Sequence, residues 1–266
     1  MATIDLHMHT DSSPDGHFSA EEMCRAAIAR GLTHIALTDH WETVDYEKDN
    51  YGERGERAYA AAEAAGRQFA GVLSVARGIE IGCPLFDEAL TQRQLAAHPY
   101  DFVLASQHQL GDQPDFYFLD YSEMDIEKTL DEYFENVFRV AQWGQFDSLA
   151  HLTYPFRYIP ADRQPGGYGR WEDIIDAIFR TLAQNGKALE INTSGLRKEI
   201  GLTQPDLPLI RRFFACGGEL VTVGSDAHRT NEVGADIDRG LALAVEAGFR
   251  YVTLYSERKP QPVKIG

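Results

Sequence analysis

Ile4-Asp5-Leu6-His7-Met8-His9-Thr10-Asp11 carries the chain's first β-rich run and ends it in two histidines. The i, i+2 spacing of His7 and His9 puts both imidazoles on one face of an extended strand, with Cα atoms about 7 Å apart. Two imidazoles so placed can share one metal ion. An isolated pair of this kind is equally a packed, hydrogen-bonded strand feature. The question is therefore whether other strands end in the same way.

Working outward, β-rich runs recur at 3–7, 34–38, 72–81, 102–106, 148–151, 188–192, 220–224 and 251–254. Helical patterns lie between them at 19–30, 54–68, 126–143, 171–184, 206–216 and 237–247. Gly31, Gly71, Gly144, Gly186, Gly217 and Gly248 are expected to close helices, and Ser19-Ala20-Glu21-Glu22 reads as a capping box. Strand–helix alternation predicts parallel strands joined by crossover helices. Seven or eight such units predict a closed barrel rather than an open sheet. No linker, low-complexity stretch or repeat interrupts the pattern, so residues 1–266 read as a single domain. The longest loops, 41–53 and 161–170, are lid candidates.

Most of the other strands end in the same way. Thr38-Asp39-His40 ends the second run, Ser106-Gln107-His108 the fourth, Ala150-His151 the fifth and Gly224-Ser225-Asp226-Ala227-His228 the seventh. Gly78-Ile79-Glu80 places a carboxylate inside the third, where a buried glutamate needs a charge partner: a metal, or a base such as Arg77. In a barrel all these ends share one face, and active sites occupy that face. The loop Thr10-Asp11-Ser12-Ser13-Pro14-Asp15-Gly16 adds short oxygen side chains. Of the nine histidines, His34 and His98 fall away from this face and read as structural, while His17 stands near enough to the loop to stay open.

Twenty-five Lys and Arg against 41 Asp and Glu give a formal charge of −16. That field repels phosphate backbones, which argues against long nucleic acids and anionic membranes as partners. A phosphorylated substrate would need a local positive centre of metals or placed arginines. No run of eighteen apolar residues predicts a transmembrane helix, and MATIDLHMHTD lacks a signal peptide's basic and apolar regions. Cys24, Cys83 and Cys216 are widely spaced and odd in number, as in a reduced, cytoplasmic protein.

The ordered set HxH, TDH, GIE, SxH, H and GSDAH resembles the polymerase and histidinol phosphatase (PHP) superfamily over residues 3 to about 255. The resemblance implies a distorted (β/α)7 barrel, TIM-barrel-like, with three divalent metal ions: zinc, iron or manganese. Carried onto this chain, it implies one ion held by His7, His9, Glu80 and Asp226. A second would share Glu80 and add His108 and His151. A third would use Asp15, His40 and His228, with Asp15 at a position where the family varies between Asp and His. Glu80, Asp226 and His228 are then the residues expected at the chemistry, Glu80 as a bridging carboxylate and Asp226 to orient the nucleophile or shuttle a proton.

Two further segments, His151-Leu152-Thr153-Tyr154-Pro155-Phe156-Arg157 and Glu190-Ile191-Asn192-Thr193-Ser194-Gly195-Leu196-Arg197, look like those of the histidinol-phosphate phosphatases. Each sets an arginine just past a strand end, so Arg157 and Arg197 are the expected phosphate clamps. The implied substrate is a small phosphorylated metabolite, L-histidinol phosphate, consumed in histidine biosynthesis. An alternative is a phosphoesterase or phosphodiesterase of the same superfamily acting on nucleotides or another small metabolite. An amidohydrolase-type barrel fits less well, since no lysine lies in 72–81 to bridge metals. A binding module without catalysis would have lost ligand positions, and none is lost here.

Overall fold

The computed structural model describes residues 3–265. The alternation becomes a parallel sheet with seven strand positions. They are β1 (Ile4–Asp5), β2 (His34–Leu37) continued by β3 (His40–Glu42), β4 (Ser74–Gly82), β5 (Phe102–Ser106), β6 (Ser148–Leu149), β7 (Ala188–Asn192) and β8 (Val221–Gly224). β2 and β3 hold one register against β4, with His34 opposite Ser74 and His40 opposite Glu80. They are one barrel strand interrupted at Thr38 and Asp39, whose side chains turn aside to bond the backbone of Met8 and Thr10. The last strand returns to the first: Leu6 N–H donates to Val223 O at 3.0 Å and Asp226 N–H to His7 O at 2.8 Å. Met8 and Ala227 form a further parallel bridge. The barrel is thereby nearly closed, as the (β/α)7 reading expects.

Helices α1 (Ala20–Ala29), α2 (Tyr51–Gln68), α3 (Glu88–Ala97), α4 (Ile126–Trp143), α5 (Glu172–Gln184), α6 (Leu207–Ala215) and α7 (Ile237–Ala247) surround it. Every residue of β5, β7 and β8 is buried, as strands covered by helices on one side and a filled barrel on the other must be. The predicted capping box forms: Ser19 Oγ accepts from Glu22 N–H while Glu22 accepts from Ser19 N–H. Among the described residues no helix is long and apolar enough to cross a membrane.

Several local readings are corrected. The run at 251–254 is not an eighth barrel strand. It lies within β9 (Tyr251–Ser256), which pairs antiparallel with β10 (Lys259–Lys264) in a separate two-stranded sheet. The turn between them puts Glu257 and Arg258 both at positive φ, 50° and 61°, as a two-residue hairpin demands. Pro260 and Pro262 hide β10 from a sequence reading, yet an edge strand accommodates proline. The loop expected at 41–53 begins with β3, and α2 starts three residues earlier than expected. The 161–170 loop contains 3-10 turns. Helix α3 was not expected; its buried positions include Thr91 and Gln94, so its inward face is too polar to show as a hydrophobic stripe.

The hairpin seals the end of the barrel opposite the strand C-termini. Asp147, just before β6, accepts from Val103 N–H at 2.8 Å and from Arg258 Nε at 2.7 Å, and Tyr255 Oη donates to Asp147 O. Asp147→Ala strands a buried N–H and frees Arg258, at a cost of about 2 kcal/mol. The expected result is a Tm lower by about 4–8 °C by thermal denaturation, with catalytic parameters of the folded protein unchanged because the other end carries the site.

Candidate active site

The strand C-termini bring the sequence-predicted side chains into one cluster. From the end of β1, His7 and His9 point the same way, their Nε2 atoms 3.1 Å apart. Both face Glu80 Oε2, at 3.3 and 3.6 Å, and Asp226 Oδ1, at 3.8 and 3.4 Å. On the other side of Glu80, His108 Nε2 and His151 Nε2 lie 3.3 Å from each other and 3.3 and 2.9 Å from Oε1. At the mouth, Asp15 reaches His228 Nε2 at 3.1 Å and His40 Nε2 at 3.8 Å. His40 Nδ1 also approaches Glu80 Oε2, at 2.9 Å. His17 stays outside: it is paired with Arg229 at 2.8 Å, in the exposed rim. His34 meets Thr33 and His98 stacks on Tyr59, so both are structural as expected.

The outer nitrogens explain why the inner ones converge. His7 Nδ1–H donates to Glu190 Oε1 and His108 Nδ1–H to Glu42 Oε1, each at 2.6 Å. His9 Nδ1–H donates to Ser13 Oγ, whose own proton goes to Asp39 Oδ1 at 2.7 Å. His228 Nδ1–H donates to Asp226 O at 3.1 Å. These outward bonds turn the Nε2 lone pairs inward, the arrangement by which metal-binding histidines are oriented. The sequence reading did not assign Glu42, Glu190, Asp39 or Ser13 to the site. Glu190 carried the same signal as Glu80, a carboxylate inside a buried strand. Gly224 permits this packing, because a Cβ there would collide with His7 Cβ and Glu190 Oε1.

The electrostatics are those of a cluster that needs positive charge. Burial alone would raise the Glu80 carboxyl, but His7, His108 and His40 hold it well below the ordinary range. Burial alone would depress His7 and His108, but the carboxylates around them, Glu190 and Glu42 foremost, hold both above the ordinary histidine value. His9 is pushed well below it by burial and by its imidazole neighbours His40 and His228. Glu80 Oε2 is fully buried and faces only imidazole nitrogens, with His40 Nδ1 the nearest at 2.9 Å. Four groups have ligand-type atoms within 4.8 Å of one another: His7, His9 and Glu80; His7, His151 and Asp226; His40, Glu80 and His108; His9, His40 and His228. Donors about 2.1 Å from a shared tetrahedral ion stand about 3.4 Å apart, close to the separations seen here. The donor set therefore fits divalent metal ions.

Asp226 joins this cluster to the arginines. Its backbone is left-handed, φ 55°, a conformation non-glycine residues enter at a cost. While Oδ1 faces His7 and His9, Oδ2 accepts from Arg157 Nη1 and Nη2, both at 3.1 Å, and from Ser194 Oγ at 3.2 Å. Arg157 is thus a buried partner of the cluster, with Nε donating to Gln204 at 2.7 Å. Arg197 Nη2 donates to Ser225 O at 2.7 Å, and its Nη1 is buried without an acceptor.

Comparison with known proteins agrees with this geometry. Residues 5–194 match the family model described as PHP domain. A probable histidinol-phosphatase of Thermotoga maritima is 30% identical over 257 residues, spanning 94% of this chain and 95% of that one. The histidinol-phosphatase of Lactococcus lactis is 28% identical, spanning 97% and 96%. The crystal structure of the Lactococcus lactis histidinol phosphate phosphatase, complexed with zinc, L-histidinol and phosphate, matches with a TM-score of 0.83 and 25% identity over 97% of this chain and 98% of that one.

Glu42→Gln and Glu190→Gln keep the shape of each side chain but weaken its grip on an imidazole. Each is expected to lower zinc affinity about 10- to 100-fold, measured by competition with a chromophoric chelator, while the circular dichroism spectrum stays that of the parent.

Proposed function

The chain belongs to the PHP domain family, and on that premise we propose that it is a metal-dependent phosphoric monoester hydrolase converting L-histidinol phosphate and water to L-histidinol and phosphate. The observation that carries the reading is the cluster around Glu80: imidazole nitrogens from four chain segments converging on one buried, ionised carboxylate. We assign His7, His9, Glu80 and Asp226 to one ion, Glu80, His108 and His151 to a second, and Asp15, His40 and His228 to a third. Zinc, the ion in the Lactococcus lactis structure, suits such nitrogen and oxygen donors. Ions held there supply a nucleophile at neutral pH and neutralise the phosphoryl oxygens.

The chain's own groups do the rest. Glu80 sits between the first two ligand sets and fixes their separation. Arg197 offers a buried N–H that has no acceptor, which a phosphoryl oxygen would satisfy. Arg157, held in place by Gln204 and Asp226, presents a guanidinium at the same end of the barrel. Both arginines thus supply positive charge where an acidic protein must bind an anion. We assign to Asp226 the roles of orienting the nucleophile and passing on its proton, a reading supported by its contacts with His7 and His9 through Oδ1 and with Arg157 through Oδ2. His228 is expected beside it, sharing Asp15 with His40.

Phosphate release from L-histidinol phosphate, with Zn²⁺, Mn²⁺ or Fe²⁺ supplied, tests the reading. A kcat/KM of about 10⁴ M⁻¹s⁻¹ or more is expected. Release from nucleotides or diesters alone, with metal bound, would assign the other superfamily substrates instead. His7→Ala, His108→Ala and Asp226→Ala should each abolish turnover in folded protein, and Arg157→Ala should chiefly raise KM. Chelation should stop turnover and lower Tm, since ions that bind only the folded chain stabilise it, and added zinc should restore both.

A further inference from the structure

Resting on that reading, we propose that Asp115 is the residue that selects the substrate's ammonium group. Asp115 lies in the loop after β5, seven residues beyond His108, and its carboxylate accepts from Tyr154 Oη at 3.0 and 3.2 Å. Tyr158 Oη donates in turn to Tyr154 Oη at 3.3 Å. The Tyr154 ring packs against the imidazoles of the cluster while its hydroxyl points to Asp115. Its centroid is 4.9 Å from that of His108 and 4.8 Å from that of His151, and Arg157 sits over it at 5.0 Å. One tyrosine ring therefore separates the phosphate-facing cluster from a carboxylate. The other acceptor-side contact of Asp115 is its own turn, Tyr117 N–H at 2.7 Å. No cationic side chain among the described residues forms an ion pair with it.

The substrate has the matching polarity. In L-histidinol phosphate the carbon bearing the ammonium is bonded to the carbon bearing the phosphate ester. A phosphate on the cluster therefore carries a positive group one short step away, with an imidazole beyond it. Asp115 supplies the negative charge at that step. The hydroxyl of Tyr154 meets Asp115, the Tyr158 ring lies 5.2 Å from that of Tyr154, and exposed Tyr117, whose ring is 5.5 Å from that of Tyr158, stands on the rim. Aromatic faces attract ammonium groups as well. Capping alone does not account for an aspartate here, since asparagine or serine caps a turn as well.

That equivalence makes the test clean. Asp115→Asn keeps the cap and removes the charge, and Asp115→Ser serves as a second capping variant. The substrates are L-histidinol phosphate and 3-(imidazol-4-yl)propyl phosphate, which lacks only the amine. Losing one charge-assisted hydrogen bond is expected to reduce kcat/KM on the amine substrate about 10- to 100-fold, mainly through KM. On the deaminated analogue both variants should stay within about 2-fold of the parent. Equal losses on both substrates, or no loss on either, would overturn the assignment. Failure of the parent enzyme on L-histidinol phosphate, with 4-nitrophenyl phosphate still hydrolysed, would instead remove the substrate reading and this inference with it.

Discussion

A carboxylate with no access to solvent, set among imidazoles, is the constraint on which the site depends. Glu80 is fully buried at the barrel's open end, and histidines from four chain segments aim at its two oxygens. An ionised carboxylate is not buried without compensation. The compensation here comes from His7, His108 and His40, which hold the Glu80 carboxyl well below its ordinary range. The outer carboxylates Glu42 and Glu190 bond Nδ1 of His108 and His7 and so leave Nε2 of each facing Glu80. The same geometry that would be costly in an empty core is the one that holds divalent cations.

The fold serves that arrangement by interrupting itself. β2 and β3 are one strand in register, interrupted at Thr38 and Asp39, where the Asp39 carboxylate accepts from Thr10 N–H, Thr10 Oγ1 and Ser13 Oγ. The break fixes the oxygen-rich loop that carries Asp15, and through Ser13 it orients His9. At the opposite seam Asp5 accepts from Ser225 and Gly234 N–H groups, clamping β8 to β1 and so placing Asp226 against His7. Both clamps lie beside the ligands in sequence, and both spend buried carboxylates on backbone hydrogen bonds that hold the ligand-bearing loops still.

These clamps also mark where the sequence stopped being legible. The seven barrel positions could be read because most strand ends repeat one chemical signature, an imidazole or a carboxylate, and repetition is visible without coordinates; the full set of nine side chains, Asp15 among them, came with the family resemblance. Asp5, Asp39, Glu42 and Glu190 could not be assigned roles because their partners are backbone amides or imidazoles brought from distant strands. Helix α3 was hidden for a different reason: Thr91 Oγ donates to Pro84 O and Gln94 to Tyr100, so polar groups fill its inward face. The hairpin of β9 and β10 was hidden by its prolines and by a strand-like run that resembled one more barrel unit.

The acidity of the chain and the anionic substrate proposed for it are reconciled at Asp226. A formal charge of −16 cannot attract a phosphate by its average field. What can is positive charge concentrated where the acidic residues are already committed. Asp226 gives one oxygen to His7 and His9 and the other to Arg157, so its own charge is used twice and little is left to repel an anion. This left-handed residue lies just past β8, where the chain still runs parallel to β1 and Asp226 N–H donates to His7 O. The exposed surface can then remain acidic for solubility while the barrel mouth presents imidazoles, guanidinium groups and a donor set suited to cations.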